Sequence, residues 1–440
     1  MTKYDVVIIG SGPAGYMAAS LLGRRGQSVL VVEKGNFGGT CVNFGCVPSI
    51  FLHDLTLLLS RGKEQDRHFG IVRDQKTANY VERVMELRGR LSEAGEELVR
   101  SSGADIMKGE ATIQNDFVVI GGVRVGYERL ILASGSTPDL SLKKEEAVYN
   151  EDQLAELDSV PETMIVVGGG YAGVEISQFY AKLGSRVTLL TEGEVVGNLG
   201  SRLSHLVREA LSWDGVEVKE HVHVSAVKAK EVLTNLGSFK AQIVLLAAGR
   251  KPNLPSGINV LGVQLSPKGV IVDNHMRTSN PRVWAAGDII SKDFHRNAHS
   301  AMAEAIVASS NIVGRDLAVS YDAIPDLIYT DPEIGVVGDS KTVETWAEFP
   351  FRANTRAIIS GFTEGYVKIG FDSFGRVVYG EAVGQWIEEF LNLLSILVKF
   401  RVKKEDLSNL TLLHPSLGES IISAVRSLSN EDVERPLRRI

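Results

Sequence analysis

Apolar and polar positions along the chain follow two periods, which change in a repeated order. Tyr4 to Ile9 form a stretch rich in β-branched residues and Ser28 to Val32 a second, with the helical pattern Tyr16 to Arg25 between them. The same succession returns at Met164 to Val167, the helical Val174 to Leu183, and Arg186 to Leu190. Unbroken apolar runs of this kind belong to strands covered on both faces, as in a parallel sheet. Between the two units, Val81 to Arg100 has the pattern of a charged amphipathic helix. Asp116 to Val125 then alternate like a hairpin, and Arg129 to Ala133 read as an apolar strand. Ile243 to Ala248 and Val283 to Ala286, each closed by glycine, read as the last strands of two parallel sheets. After about residue 317 the pattern becomes antiparallel, with strands around Tyr366 to Phe371 and Val377 to Val383. The helical stretches Trp386 to Phe400 and Leu417 to Leu428 follow.

A glycine loop joins strand to helix in both units: Gly10, Gly12 and Gly15 in the first, Gly168, Gly170 and Gly173 in the second. Glycine at these spacings lets backbone N–H groups and a helix N-terminus approach a pyrophosphate, which a Cβ would obstruct. Glu33, at the end of the second strand, suits the ribose hydroxyls of an adenosine. The expectation is therefore an α/β chain with two Rossmann-like dinucleotide-binding domains and a C-terminal α+β domain. Residues 1–146 and 269–316 build the first domain, 147–268 the second and 317–440 the third. In the second unit the strand ends in Thr191, and Glu192 and Glu194 follow with no Lys or Arg before Ser201. That charge favours NAD over NADP, although the two acids also fit a solvated turn.

Composition narrows the reading. A net charge of −7 provides no basic stripe for nucleic acid or an anionic membrane. With no signal-peptide pattern at Met1 and no apolar stretch expected to span a membrane, the chain reads as cytoplasmic. Its two cysteines, Cys41 and Cys46, stand five positions apart ahead of a helical pattern from Phe51 to Ser60. This excludes a disulfide framework or cysteine-rich metal site and leaves either a reactive thiol pair or two buried structural cysteines. A helix N-terminus lowers thiol pKa and so favours the reactive thiolate. His221 and His223, spaced for one face of a strand, lack nearby cysteine or acid ligands and read as a solvated face, so no metal is expected.

The stretch Gly38 to Ser49 around the cysteines resembles the class I pyridine nucleotide-disulfide oxidoreductases, and the resemblance extends along essentially the whole chain. It includes Leu132 to Ser136, Gly249 to Asn253, Ala285 to Asp288, Tyr329 to Glu333 and His414 to Glu419. The resemblance implies a homodimer of FAD, NAD(P) and interface domains that exchanges electrons with a small dithiol or disulfide through Cys41 and Cys46. Cofactor contacts would fall on Gly10, Gly12, Gly15, Glu33, Thr40, Ser134, Gly135, Asp288 and Ala298 for FAD. For the nicotinamide dinucleotide they would fall on Gly168, Gly170, Gly173, Glu175 and Gly249. His414 would act as general base from the other subunit, oriented by Glu419. An imidazole whose second nitrogen meets a carboxylate is physically suited to that role.

One position departs from the pattern. Where the family continues from Ser49 into a lysine that pairs with the glutamate at 175, this chain has Ile50. Glu175 is therefore expected to sit partly buried without that cation, with a raised pKa. Within the family, His414 and Glu419 favour the dihydrolipoamide dehydrogenases, which can belong to a 2-oxoacid dehydrogenase complex. Mercuric reductases, glutathione- or coenzyme A disulfide-type reductases and a flavin-binding protein of low activity are the alternatives.

Overall fold

The structure, a computed structural model, describes residues 1–69, 80–145, 147–157, 159–293 and 296–429. The expected domain boundary at 146 and the end of the last domain, 430–440, lie outside these residues. The first apolar run is β1 (Thr2–Ile9). It turns through the glycine loop into α1 (Pro13–Arg24), with proline at the first helical position, and returns as β2 (Val29–Glu33). The cysteines follow on α2 (Gly39–Asn43) and at the start of α3 (Cys46–Phe69); α4 (Tyr80–Ser101) is the charged helix. Next come β3 (Asp105–Lys108), β4 (Ala111–Ile113), β5 (Phe117–Ile120) and β6 (Val123–Leu132).

The first sheet has the order β3-β2-β1-β6-β5-β4, and the strand Val283–Ala285 also pairs with β6. The expected hairpin arm and the apolar strand from Arg129 are one strand. Residues 123–126 of β6 pair antiparallel with β5, and 130–132 pair parallel with Val283–Ala285. Both stretches can share a strand because only the partner along one edge changes; the opposite edge pairs with β1 from Val125 to Leu132. The late strand Val283–Ala285 thus returns the chain to its first sheet, after the second unit has been built.

That unit is a parallel sheet in the order Glu217–Lys219, Arg186–Leu190, Thr163–Val167, Ile243–Leu246 and Tyr149–Asn150. Its glycine loop opens α5 (Tyr171–Lys182), which is buried from Gly173 to Tyr180. His221 and His223 are not on a strand; His221 has φ 59°, a left-handed turn conformation, and His223 Nδ1 lies 3.0 Å from Glu192 Oε1. The C-terminal unit is an antiparallel sheet ordered Asp326–Ile328, Glu333–Gly338, Val377–Gly384, Tyr366–Phe371 and Thr345–Pro350. The helix Glu388–Lys399 packs on it.

By length and composition, Gly39–Gly62 is apolar enough to cross a membrane, contrary to the expectation from the sequence. Its apolar side instead helps build a core. Leu52 packs with Phe179, Ile328 and Ile334, tying α3 to α5 and the C-terminal sheet. Polar locks add to this contact. The buried Asp331 carboxylate pairs with Arg61 at 2.7 Å and with Lys182 at 2.7 Å. Burial favours its neutral form, but those two cations outweigh burial and hold its pKa below the usual range. The helix carrying Cys46 is therefore fixed against both later units.

Candidate active site

Both glycine loops have the shape that a dinucleotide phosphate requires. Gly10 has φ 105° and Gly168 φ 124°, conformations open to glycine, and a Cβ on either would meet a backbone oxygen, that of Ala133 at 2.3 Å or Ala247 at 2.0 Å. A Cβ on Gly15 or Gly173 would lie 1.9 Å from the oxygen of Gly10 or Gly168, so close packing of helix on strand excludes it. At Gly170 it would meet nothing within 4 Å, and at Gly12 only Gly39 at 3.8 Å. The middle glycine of each loop faces the space through which a pyrophosphate would approach the helix N-terminus. The residues present therefore fit two dinucleotides.

At the first loop, Glu33 accepts hydrogen bonds from the backbone N–H and hydroxyl of Ser11 at 2.9 and 2.7 Å, and from Gly35 N–H at 2.7 Å. These bonds hold its carboxylate at the mouth of a small cleft with Gly10, Lys34, Ser134 and Asn253. At the other end of the first unit, Ser136 donates to Asp288 at 2.8 Å, and Arg250 Nε donates to the Ser136 hydroxyl at 2.9 Å. Arg250 also pairs with Asp152 at 2.7 Å and Glu151 at 3.0 Å, and its Nη2 reaches Thr40 Oγ1 at 3.4 Å. Reading the sequence placed Gly249 at the site but assigned no role to Arg250, although the arginine lies in the same quoted motif. It joins the exit of the second unit to the thiol loop and to the Asp288 segment. The Ser134 hydroxyl donates to the Asn253 carbonyl at 2.6 Å, and the Asn253 N–H donates to the Gly135 carbonyl at 2.9 Å. Ala298 begins the helix Ala298–Ile312, capped by the Asn297 side chain.

Cys41 and Cys46 are half-buried free thiols. The neighbouring Cys46 holds Cys41 below the ordinary thiol range in spite of burial. Cys41 and burial together hold Cys46 above that range. The two sulfurs therefore titrate as one pair. A cavity of about 780 Å³ opens beside the thiol loop. Thr40, Phe44, Gly45 and Ser49 line one end, and Gly168, Gly170 and Glu192 the other. The cavity thus runs from the second glycine loop to the residues that flank the cysteines.

Glu175 is buried on α5, where Oε1 accepts the Tyr329 N–H at 3.0 Å. Burial pushes its pKa up to about 7 against the opposing pull of that N–H group and of His53. Ile50 is partly exposed. The buried side chain one turn further along α3 is His53, which the sequence reading did not single out; its Nε2 lies 3.0 Å from Glu333 Oε1. A polar residue seven positions from Cys46, on the same helical face, was the signal available.

His414 and Glu419 come together as expected. His414 Nδ1 lies 3.0 and 3.2 Å from the two Glu419 oxygens, and Glu419 also accepts the Ser416 N–H at 2.8 Å. The imidazole is mostly exposed, on the C-terminal unit, and does not line the cavity at the thiol loop of its own chain.

A family model for the pyridine nucleotide-disulphide oxidoreductases matches residues 4–308, and one for their dimerisation domain matches 324–425. The chain belongs to this family. It is 31% identical to a dihydrolipoyl dehydrogenase of Geobacillus stearothermophilus, over 96% of this chain and 95% of that one. It is 29% identical to dihydrolipoyl dehydrogenase 3 of Haloarcula marismortui, over 99% and 98%. Among solved structures, LpdA from Mycobacterium tuberculosis superposes with a TM-score of 0.88 at 25% identity, covering 97% of this chain and all of that one. The HOCl-induced flavoprotein disulfide reductase RclA from Escherichia coli shares the fold, with a TM-score of 0.82 at 21% identity over 96% and 99%. Family membership makes the chain an FAD-dependent oxidoreductase that uses NAD. In the family the dimerisation domain goes with homodimeric assembly and with dithiol or disulfide substrates.

Proposed function

We propose that the chain is a dihydrolipoamide dehydrogenase that oxidises a small dithiol with NAD, working through Cys41 and Cys46. The observation that carries this reading is a cavity lined both by the second glycine loop and by Thr40, Phe44, Gly45 and Ser49, which flank Cys41 and Cys46. In the proposed arrangement Gly10, Gly12, Gly15 and Glu33 hold the adenosine diphosphate half of FAD. Thr40, Ser134, Gly135, Asp288 and Ala298 lie along the rest of that cofactor. Gly168, Gly170, Gly173, Glu175 and Gly249 frame the NAD site. When bound, the flavin relays two electrons between the sulfurs and the nicotinamide. The same reading divides the chain into 1–146, 147–268, 269–316 and 317–440. It places the enzyme in the cytoplasm, where it can serve a 2-oxoacid dehydrogenase complex.

The chain's own residues account for the thiol chemistry. With Glu419 accepting its Nδ1–H, His414 presents Nε2 as a base, and its exposed position suits a site on the partner subunit. It takes the proton of the substrate thiol, and the resulting thiolate attacks the Cys41–Cys46 disulfide. The second substrate sulfur then closes the substrate disulfide and gives its proton to the cysteine it displaces, leaving both cysteines reduced. Glu192 and its partner His223, beside the second loop, add no fixed cation for a 2′-phosphate.

A turnover panel tests the reading. Dihydrolipoamide with NAD is expected to give the highest kcat/KM, above glutathione disulfide, coenzyme A disulfide or Hg(II) with NADH or NADPH. Titration with one equivalent of NADH is expected to bring up long-wavelength thiolate-to-flavin absorbance. Turnover of dihydrolipoamide by Cys41→Ser at the wild-type rate would sink the proposal.

A further inference from the structure

The chain crosses from its first unit to its second and back again, and the two crossings pair with each other. Ser136–Pro138 leads out of the first sheet and Arg250–Pro252 leads back, joined antiparallel as a two-stranded ribbon. Beside the ribbon the Asp139 N–H donates to the Gly249 carbonyl at 2.8 Å, and Lys251 pairs with Asp139 at 2.8 Å. Two strands of three residues each make a weak joint by themselves. A nicotinamide carried by the second unit must nevertheless meet groups that the first unit holds, so the setting of this joint enters the chemistry.

Arg250 stands at the joint, 19% exposed, in the wall of the cavity. Its guanidinium divides its donors between the two units. Toward the second, Nη1 and Nη2 hold Asp152 side-on at 2.7 and 3.2 Å, and Nη1 pairs with Glu151 at 3.0 Å. Those acids directly follow Tyr149–Asn150, the edge strand that runs parallel to Ile243–Leu246. Toward the first unit, Nε donates to the Ser136 hydroxyl at 2.9 Å and Nη2 to the Ser136 carbonyl at 3.1 Å. Ser136 passes the contact to Asp288 at 2.8 Å, and Nη2 reaches Thr40, next to Cys41, at 3.4 Å. A planar fork can meet these partners in one fixed geometry, which a single ammonium cannot.

We propose that Arg250 is a positioning residue for hydride transfer between nicotinamide and flavin: it sets the second unit in register with Thr40 and the Ser136–Asp288 pair of the first. The inference rests on the FAD and NAD sites proposed above. Arg250 acts through its protein partners and need touch neither cofactor. The units are also tied where α3 packs on α5, through Leu52 and the Asp331 ion pairs, and Arg250 takes no part in those contacts. Loss of the guanidinium is therefore expected to leave the units together and to relax their register at the cavity. The Ser136–Asp288 bond can persist, so flavin is expected to stay bound.

Half-reactions of the holoprotein separate positioning from folding. In anaerobic stopped flow, Arg250→Ala is expected to be reduced by dihydrolipoamide at the wild-type rate, because that step uses Cys41, Cys46 and His414 and leaves the second unit out. Reduction by saturating NADH is expected to slow roughly 10- to 100-fold, the effect of a small misplacement of reacting groups. Guanidinium at millimolar concentration can reach the void, since Arg250 lines the cavity, and is expected to restore much of the NADH rate. Methylammonium and Arg250→Lys, which lack the fork, are expected not to. Hydrogen exchange reads the same contact without turnover: the amides of Ser136, Thr137, Asp139 and Asp152 are expected to exchange faster in Arg250→Ala, and those of α5 at the wild-type rate.

A wild-type rate of NADH reduction in Arg250→Ala would overturn the proposal. Equal slowing of both half-reactions with no response to guanidinium would also overturn it, as the mark of a purely structural role. If Arg250→Ala does not fold, Asp152→Asn takes its place, since it keeps the shape and loosens the side-on pair; a wild-type NADH rate there is equally decisive. If dihydrolipoamide fails to reduce even the wild type, the substrate reading falls, and the NADH arm with its guanidinium response still decides the role of Arg250.

Discussion

Replacing Glu419 with Gln leaves the shape around His414 but removes the charge that fixes its Nδ1–H and stabilises the imidazolium it becomes. The expected result is a fall in kcat for dithiol oxidation of roughly 100-fold, with little change in flavin content. Steady-state kinetics across pH reads this, because a weaker base moves the acidic limb of the profile. Glu175 makes a different prediction, one of stability. Its folded pKa of about 7 stands above the ordinary carboxylate value of 4.5, so the folded state disfavours its charged form. Its contribution is complete below pH 4.5 and is lost as pH rises through 7, on the order of 3 kcal/mol in all. Glu175→Gln is therefore expected to raise Tm relative to wild type at pH 8 and to lose that advantage toward pH 5. Calorimetry at several pH values checks it, and a constant difference would contradict the assignment.

At the level of elements, the helix–strand contacts of the two glycine loops can be broken separately. A Cβ at Gly173 would press on the Gly168 carbonyl, and one at Gly15 on that of Gly10, each at 1.9 Å. Gly173→Ala is expected to weaken NADH binding about tenfold or more while flavin content holds; Gly15→Ala is expected to lose flavin instead. Absorbance ratios and NADH titration separate the two outcomes. The strands of both parallel sheets were legible in the sequence because an apolar run buried on two faces has no competing pattern. Register and partner were less legible. The alternation from Asp116 and the apolar run from Arg129 look like separate strands, since periodicity reports burial and not which neighbour supplies it. The apolar run of α2 and α3 was underestimated for a related reason. Leu52 needed a core that other units supply.

On the scale of the whole molecule, the sulfur pair and the His414–Glu419 pair sit on different units, and the exposed imidazole suits a site shared between subunits. Dimers that mix Cys41→Ser and His414→Ala chains are then expected to contain one intact site, giving an equal mixture about a quarter of wild-type activity from two inactive parents. Reassociation and assay of tagged chains measures this; no recovery would place both pairs in one subunit's site. The sequence alone determined the two glycine loops, the thiol pair, the His414–Glu419 pair and the absence of a lysine at position 50. Each depends on short spacing, where covalent geometry limits what the residues can do. Only the tertiary structure decided the surroundings of those residues. Arg250 reaches Ser136 and Thr40, and His53 reaches Glu333 from 280 positions away. Such contacts come from packing of separately built units, and nothing in local periodicity encodes which buried charge another unit will meet.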